Sequence, residues 1–278
     1  MVVFPGAKIN LGLNILRRLP SGFHEIETCM VPVEWSDVLE VVRSQSDQTI
    51  LTQSGIQLDC APDDNLIMKA QRLLATDYTL PPLDIYLEKC VPSGAGLGGG
   101  SADAAFTLRA INEICNLGIT DTELAEYAAR LGSDCPFFVY NRPMICTGTG
   151  IVMEPIAIPQ IAGKWVLIVK PDVHISTAEA YRGTTPRVPD HSLREVLAQP
   201  IERWSELLHN DFEDSLSAKY PVIPQLKAVM YDAGALYSSL SGSGSAVYGI
   251  FESEESARAA KSAISGCRAA VVRLPLNQ

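Results

Sequence analysis

The sequence has no excess of basic charge. Its formal net charge is −10, and no run of Lys or Arg builds the cationic face with which a duplex nucleic-acid binder displaces counterions. A phosphorylated ligand would have to be met locally, by oriented N–H groups and a few cations. Long apolar runs are absent as well. The strongest, Trp165–Val169, is far too short to span a bilayer. The opening Met1-Val-Val-Phe-Pro-Gly-Ala-Lys8 shows no basic segment followed by an apolar one, and no lipidation motif occurs. The expectation is a cytoplasmic protein with neither membrane nor nucleic acid as partner. The cysteines lack pairing signals. There are 7, an odd number, and no C-x-x-C among them. That excludes a zinc knuckle or a disulfide framework and leaves most of them as small core residues.

What is present is globular. The 278 residues are 47% hydrophobic and 19% charged, enough for one large domain or two smaller ones. Ala7, Ile9, Leu11, Leu13 and Ile15 alternate with Lys8, Asn10, Gly12 and Asn14. That is the pattern of a half-buried strand whose polar face carries Lys8 and Asn10 side by side. Strands are also predicted near 38–43, 83–88, 236–241, 246–251 and 269–274, with further strands across 144–170. Helices are predicted after Asp63-Asp64-Asn65, over 102–116, 221–232 and 254–264, and behind the capping signatures Thr120/Glu123, Ser176/Glu179 and Ser192/Glu195. A soft boundary falls near 155–165.

The densest signal is Pro92-Ser93-Gly94-Ala95-Gly96-Leu97-Gly98-Gly99-Gly100-Ser101, between a predicted strand and a predicted helix. Five glycines can adopt positive φ and let an anion approach the backbone. The helix behind them offers unpaired N–H groups and a positive dipole end. Together these make an anion site. No Lys follows the glycines, so the loop is not a Walker A motif. Gly94-x-Gly96-x-x-Gly99 does match a dinucleotide fingerprint. That reading also requires a second strand ending in Asp or Glu about 20 residues on, where Thr120-Asp121 instead opens a helix. Tight strand–helix packing alone would ask for one glycine, not five.

Three segments occur in order: Pro5-Gly-Ala-Lys8-Ile-Asn10-Leu, the glycine loop with Ala102-Asp103-Ala-Ala105, and Leu240-Ser-Gly-Ser-Gly-Ser-Ala246. The set resembles the galactokinase–homoserine kinase–mevalonate kinase–phosphomevalonate kinase (GHMP) superfamily. Ser21-Gly-Phe23-His24 and Leu131-Gly-Ser-Asp134-Cys-Pro136 resemble a member acting on a cytidyl-diphosphate sugar alcohol. In that member Asp-Gly-Tyr-His is usual at the first stretch, and Ser-Ser-Asp is often found where this chain has Ser101-Ala102-Asp103.

The resemblance implies an α+β, two-domain GHMP-kinase fold. An N-terminal ribosomal-protein-S5-like ATP-binding domain would cover 1–158 and a C-terminal ferredoxin-like α/β domain 159–278, with a cleft between. It implies ATP held at Pro92–Ser101, with Mg²⁺ as its counter-ion and Ser101 as candidate protein ligand. Asp134 would take the acceptor's proton, while Lys8 stabilises the alkoxide and keeps Asp134 ionised. Asn10 would place the acceptor chain. Phe23, His24 and Tyr181 would hold the cytosine, and Thr177 with Gly242, Ser243 and Gly244 the substrate phosphates. Asn65 would lie on the adenine side. Asp103 is expected to favour the helix dipole. The expected state is a monomer or weak homodimer.

Overall fold

Period-two alternation produces the strand Gly6–Arg18 where the spacing predicts it. The computed structural model, which describes residues 1–58 and 60–276, departs from expectation at this strand's polar face. The polar face of this strand is not wet, for Lys8 and Asn10 are 3% and 2% exposed. The strand opens a four-stranded sheet in the order Gly6–Arg18, His24–Ser36, Met144–Gly148, Val152–Pro155. Its register sets Cys29 opposite Ile145.

The chain forms two compact units drawn from interleaved stretches. One takes 1–7, 35–93 and 98–141; the other takes 8–34, 94–97 and 142–278. Two segments from before residue 98 thus belong with the C-terminal half, which a single cut at 158 does not describe. The glycine loop is itself shared between the units.

In the first unit, strands Val2–Val3, Val38–Arg43, Leu83–Lys89 and Ile50–Gly55 make a sheet in that order, the last pair parallel. Helices α1 (Leu66–Ala75), α2 (Gly99–Cys115), α3 (Asp121–Ala129) and α4 (Cys135–Tyr140) complete it, with α1 packed on α2. Asn65 caps α1, its Oδ1 accepting from the Ile67 N–H at 2.9 Å. Thr120 and Glu123 close both arms of a capping box on α3.

In the second unit an antiparallel sheet runs Tyr237–Leu240, Val247–Phe251, Trp165–Lys170, Arg268–Arg273. Helices Val222–Asp232 and Glu254–Ser262 lie on it. Leu13, Ile15 and Ile26 from the N-terminal hairpin join the same core as Leu167, Val247 and Phe251. Ser192 and Glu195 form the predicted box. Ser176 accepts the Glu179 N–H, while Lys219 and Tyr220 both donate to Glu179 Oε1. Of the cysteines, Cys29, Cys135 and Cys146 are core residues, whereas Cys60 and Cys90 are exposed, so the expectation that most are buried does not hold.

Beneath the glycine loop, in the first unit, lies a dry ion cluster. Lys89 Nζ bonds Asp37 and, at 2.7 Å, Asp103, and all three side chains are buried. Asp37 Oδ1 also accepts the N–H groups of Cys90 and Val91 at 2.6 and 2.8 Å. The cluster therefore ties the strand entering the loop to the first turns of α2. This corrects the expected role of Asp103, whose carboxyl is spent on Lys89 rather than on the helix dipole. Its Oδ1 has no hydrogen-bond partner among the described residues. Burial pushes the Asp103 carboxyl from its ordinary 3.8 up to about 7, with Lys89 opposing the rise. A carboxyl raised in this way favours the folded state fully only below about pH 4, and that contribution is lost as pH climbs through 7. Lys89→Met should cost about 3–5 kcal/mol in urea unfolding at pH 8, the scale of an uncompensated buried charge. The loss should be smaller at pH 5, and equal losses at the two pH values would contradict this picture.

Candidate active site

The glycine loop divides its glycines by task. Gly94, Gly96 and Gly98 take positive φ, while Gly99 and Gly100 are the first residues of α2, so three rather than five use the left-handed region. At Gly96 no side chain is possible, since a Cβ would stand 2.0 Å from the Ser241 carbonyl oxygen. Gly98 occupies the N-cap of α2, and among the described residues no side-chain cap closes the helix. The first N–H groups of a 17-residue helix are thus left to another acceptor.

Asp134 stands in the same unit, just before α4. Its carboxylate makes no capping bond to that helix, so the cap its position suggested is not its role. The next residue ties this turn to the phosphate helix. Cys135 is buried, which pushes its thiol up to about 11, while a side-chain hydrogen bond with Ser101 pulls the other way. Ser101 and the Asp134 turn therefore meet at the mouth of α2 within one unit.

In the second unit Lys8 leaves its strand beside the loop, its backbone N–H bonding Leu97 O at 2.9 Å. Its ammonium donates to Asn10 Oδ1 at 2.5 Å, and Asn10 Nδ2 donates to Thr28 Oγ1 at 2.9 Å. The alternation set Lys8 and Asn10 side by side, as observed, but did not reveal the Asn10 contact with Thr28 on the neighbouring strand. Residues 241–246 lie directly on residues 95–96. The Ala246 N–H bonds Ala95 O at 3.0 Å and Ser241 Oγ bonds Gly96 O at 2.9 Å. A Cβ on Gly242 would come within 3.2 Å of Asn10 Oδ1 and 3.3 Å of Lys8 Nζ. Asn210, which no sequence signal singled out, holds this second loop through the carbonyls of Leu240 and Gly242.

The same unit assembles the aromatic group. His24 stacks on Tyr181 with centroids 4.7 Å apart and planes at 16°, and Phe212 meets Tyr181 edge-on. Phe23 is 66% exposed, an apolar ring held in solvent. Burial, with help from Arg18, lowers the His24 pKa, so the ring is neutral at pH 7 and offers one donor and one acceptor. Thr177 and Ser243 bring their hydroxyls to 3.4 Å. Asn65 sits in the first unit as the α1 cap, its Oδ1 taken by the helix.

Family models described as "GHMP kinases N terminal domain" and "GHMP kinases C terminal" match residues 65–142 and 192–268. A relative from Parabacteroides distasonis, named 4-diphosphocytidyl-2-C-methyl-D-erythritol kinase, is 48% identical over 252 residues, covering 91% of this chain and 92% of its own. One of the same name from Bacteroides fragilis is 46% identical, covering 92% of this chain and 93% of its own. A crystal structure of 4-(cytidine 5'-diphospho)-2C-methyl-D-erythritol kinase superposes with a TM-score of 0.86 at 29% identity, over 99% of both chains. A Methanococcus jannaschii mevalonate kinase shares the fold, with a TM-score of 0.73 at 14% identity over 99% of this chain and 98% of its own. The chain therefore belongs to the GHMP kinase family and, within it, to the 4-diphosphocytidyl-2-C-methyl-D-erythritol kinases.

Proposed function

We propose that this small-molecule kinase moves the γ-phosphoryl group of ATP onto the 2-hydroxyl of 4-diphosphocytidyl-2-C-methyl-D-erythritol, a step of non-mevalonate isoprenoid synthesis. The observation that carries the reading is the uncapped start of α2 behind three left-handed glycines. Phosphoryl transfer asks the protein chiefly for positioning and for neutralisation of developing charge. The N–H groups of Gly99, Gly100 and Ser101 supply fixed donors to the triphosphate. Asp134 takes the proton of the acceptor hydroxyl, and Lys8 stabilises the alkoxide. Phe23 and Tyr181 present ring faces to the cytosine, and neutral His24 reads its edge. Thr177 and the residues Gly242, Ser243 and Gly244 receive the substrate diphosphate.

The donors around the loop suit a magnesium ion that arrives with the nucleotide. Ser101 offers a hydroxyl at the helix mouth, whereas the Asp103 carboxylate is buried against Lys89. A hard ion of this kind takes most of its ligands from phosphate and water. When bound, it offsets charge on the β- and γ-phosphates.

The defining measurement is ADP release from Mg·ATP with and without the cytidyl substrate. Release that depends on that substrate is expected; release indifferent to it overturns the assignment. Asp134→Asn should fold normally and lose ~10²-fold or more in turnover, the scale of removing a general base. Phe23→Ala should raise the KM for the cytidyl substrate about tenfold, the worth of one stacked base, with little change in kcat. Because the His24 pKa lies below its ordinary 6.5, that KM should stay flat from pH 8 to 7 and rise only at pH values below 6.5.

A further inference from the structure

Thr28 is wholly buried in strand His24–Ser36 and touches no atom that reacts in the scheme above. Its surroundings leave its hydroxyl no choice of direction. Thr28 Oγ1 lies 2.5 Å from the carbonyl oxygen of Gly12, an atom that only accepts, so the hydroxyl proton points there. What remains to the oxygen is to accept, and it accepts from Asn10 Nδ2 at 2.9 Å. With its NH₂ group committed, Asn10 must turn its carbonyl oxygen the other way, and Lys8 Nζ donates to it at 2.5 Å. The reverse orientation would set the amide NH₂ against an ammonium, two donors face to face.

The direction of the whole chain is thus decided at its far end by one backbone carbonyl. Gly12 makes that carbonyl available. It takes φ +68° in the middle of a strand, and a Cβ there would lie 2.7 Å from Leu208 and 2.9 Å from Leu193. A glycine is the residue that both conditions permit. Tyr248 adds a brace by donating its hydroxyl to the Asn10 backbone carbonyl at 2.7 Å. Every residue in this chain belongs to one compact unit.

We propose that Thr28 and Gly12 are positioning residues for phosphoryl transfer. The Gly12 carbonyl orients the Thr28 hydroxyl, the hydroxyl orients the Asn10 amide, and the amide fixes the Lys8 ammonium where charge develops on the acceptor oxygen. The inference rests on the reading that Lys8 acts at that oxygen. An ammonium that loses this contact is less well placed for the transition state, while the grip on ATP by the glycine loop is unaltered.

Thr28→Val keeps the shape of the side chain and removes the hydroxyl. Turnover should fall about tenfold to a hundredfold, as expected for misplacement of a reacting group. The KM for ATP should stay within about twofold, and Thr28→Ser should restore turnover. The route runs through Asn10, so Thr28→Val added to Asn10→Ala should slow the enzyme no further than Asn10→Ala alone. A Thr28 that only supported the fold would lower the melting temperature and add to Asn10→Ala. Should Thr28→Val fail to fold, Thr28→Ala takes its place in the same cycle. Full turnover in the folded Thr28 variant, with Lys8→Met inactive, overturns the inference and leaves the role of Lys8 standing. Full turnover in Lys8→Met overturns both.

Discussion

A helix that starts without a side-chain cap leaves its first N–H groups without partners, and that constraint organises the chemistry of this protein. Gly98 supplies the turn into α2 but no acceptor. Burying such donors unpaired would cost about 1–3 kcal/mol for each, so the arrangement makes sense when an anion completes it. Around this deficit the chain places residues that hold the loop in shape. Asp37 and Lys89 secure the strand that enters it, and Asp103 secures the helix that leaves it. The carbonyls of Ala95 and Gly96 are fastened to the second small-residue loop. A loop anchored at its ends and its middle holds its N–H donors in place beforehand, the condition under which electrostatic stabilisation of an anion is strongest.

Much of this could be read from residue order. The glycine loop was legible because five glycines between a strand and a helix have few other physical uses, and the capping boxes because Ser or Thr three residues before Glu has a local meaning. Period-two alternation located the strand bearing Lys8. Alternation tells which residues share a face, yet it does not say whether that face is dry, so the burial of Lys8 and Asn10 was not legible. The ion cluster was hidden for a related reason. Asp37, Lys89 and Asp103 are brought together by sheet and helix packing, and nothing local marks Asp37 as the partner of a lysine 52 residues on. Thr28 is a β-branched residue in a strand, an ordinary occupant by composition. Its significance comes from a carbonyl on the neighbouring strand.

The two buried polar assemblies, one in each unit, fix side chains with different chemistry. The cluster under α2 uses full charges in a dry setting, where one cation faces two carboxylates and burial itself raises one of them towards neutrality. The chain from Gly12 to Lys8 uses neutral dipoles, each with its direction forced by the one before. Charges hold backbone segments that must not separate. Dipoles in series give a side chain one direction. A long, flexible lysine has the greater need of such aiming, for it carries rotamer freedom that a single contact does not remove.

The interleaving of the units has a consequence for birth on the ribosome. The hairpin of Gly6–Arg18 and His24–Ser36 emerges early, yet the strand that pairs with its second arm, Met144–Gly148, comes more than a hundred residues later. For that interval a pair of strands rich in buried residues has an open edge and no sheet to join. At translation speeds of roughly 5–20 residues per second the exposure lasts on the order of 5–20 seconds. The nascent chain therefore has reason to depend on holding factors until its middle third has been synthesised, a vulnerability that belongs to the order of the segments and not to the stability of the finished enzyme.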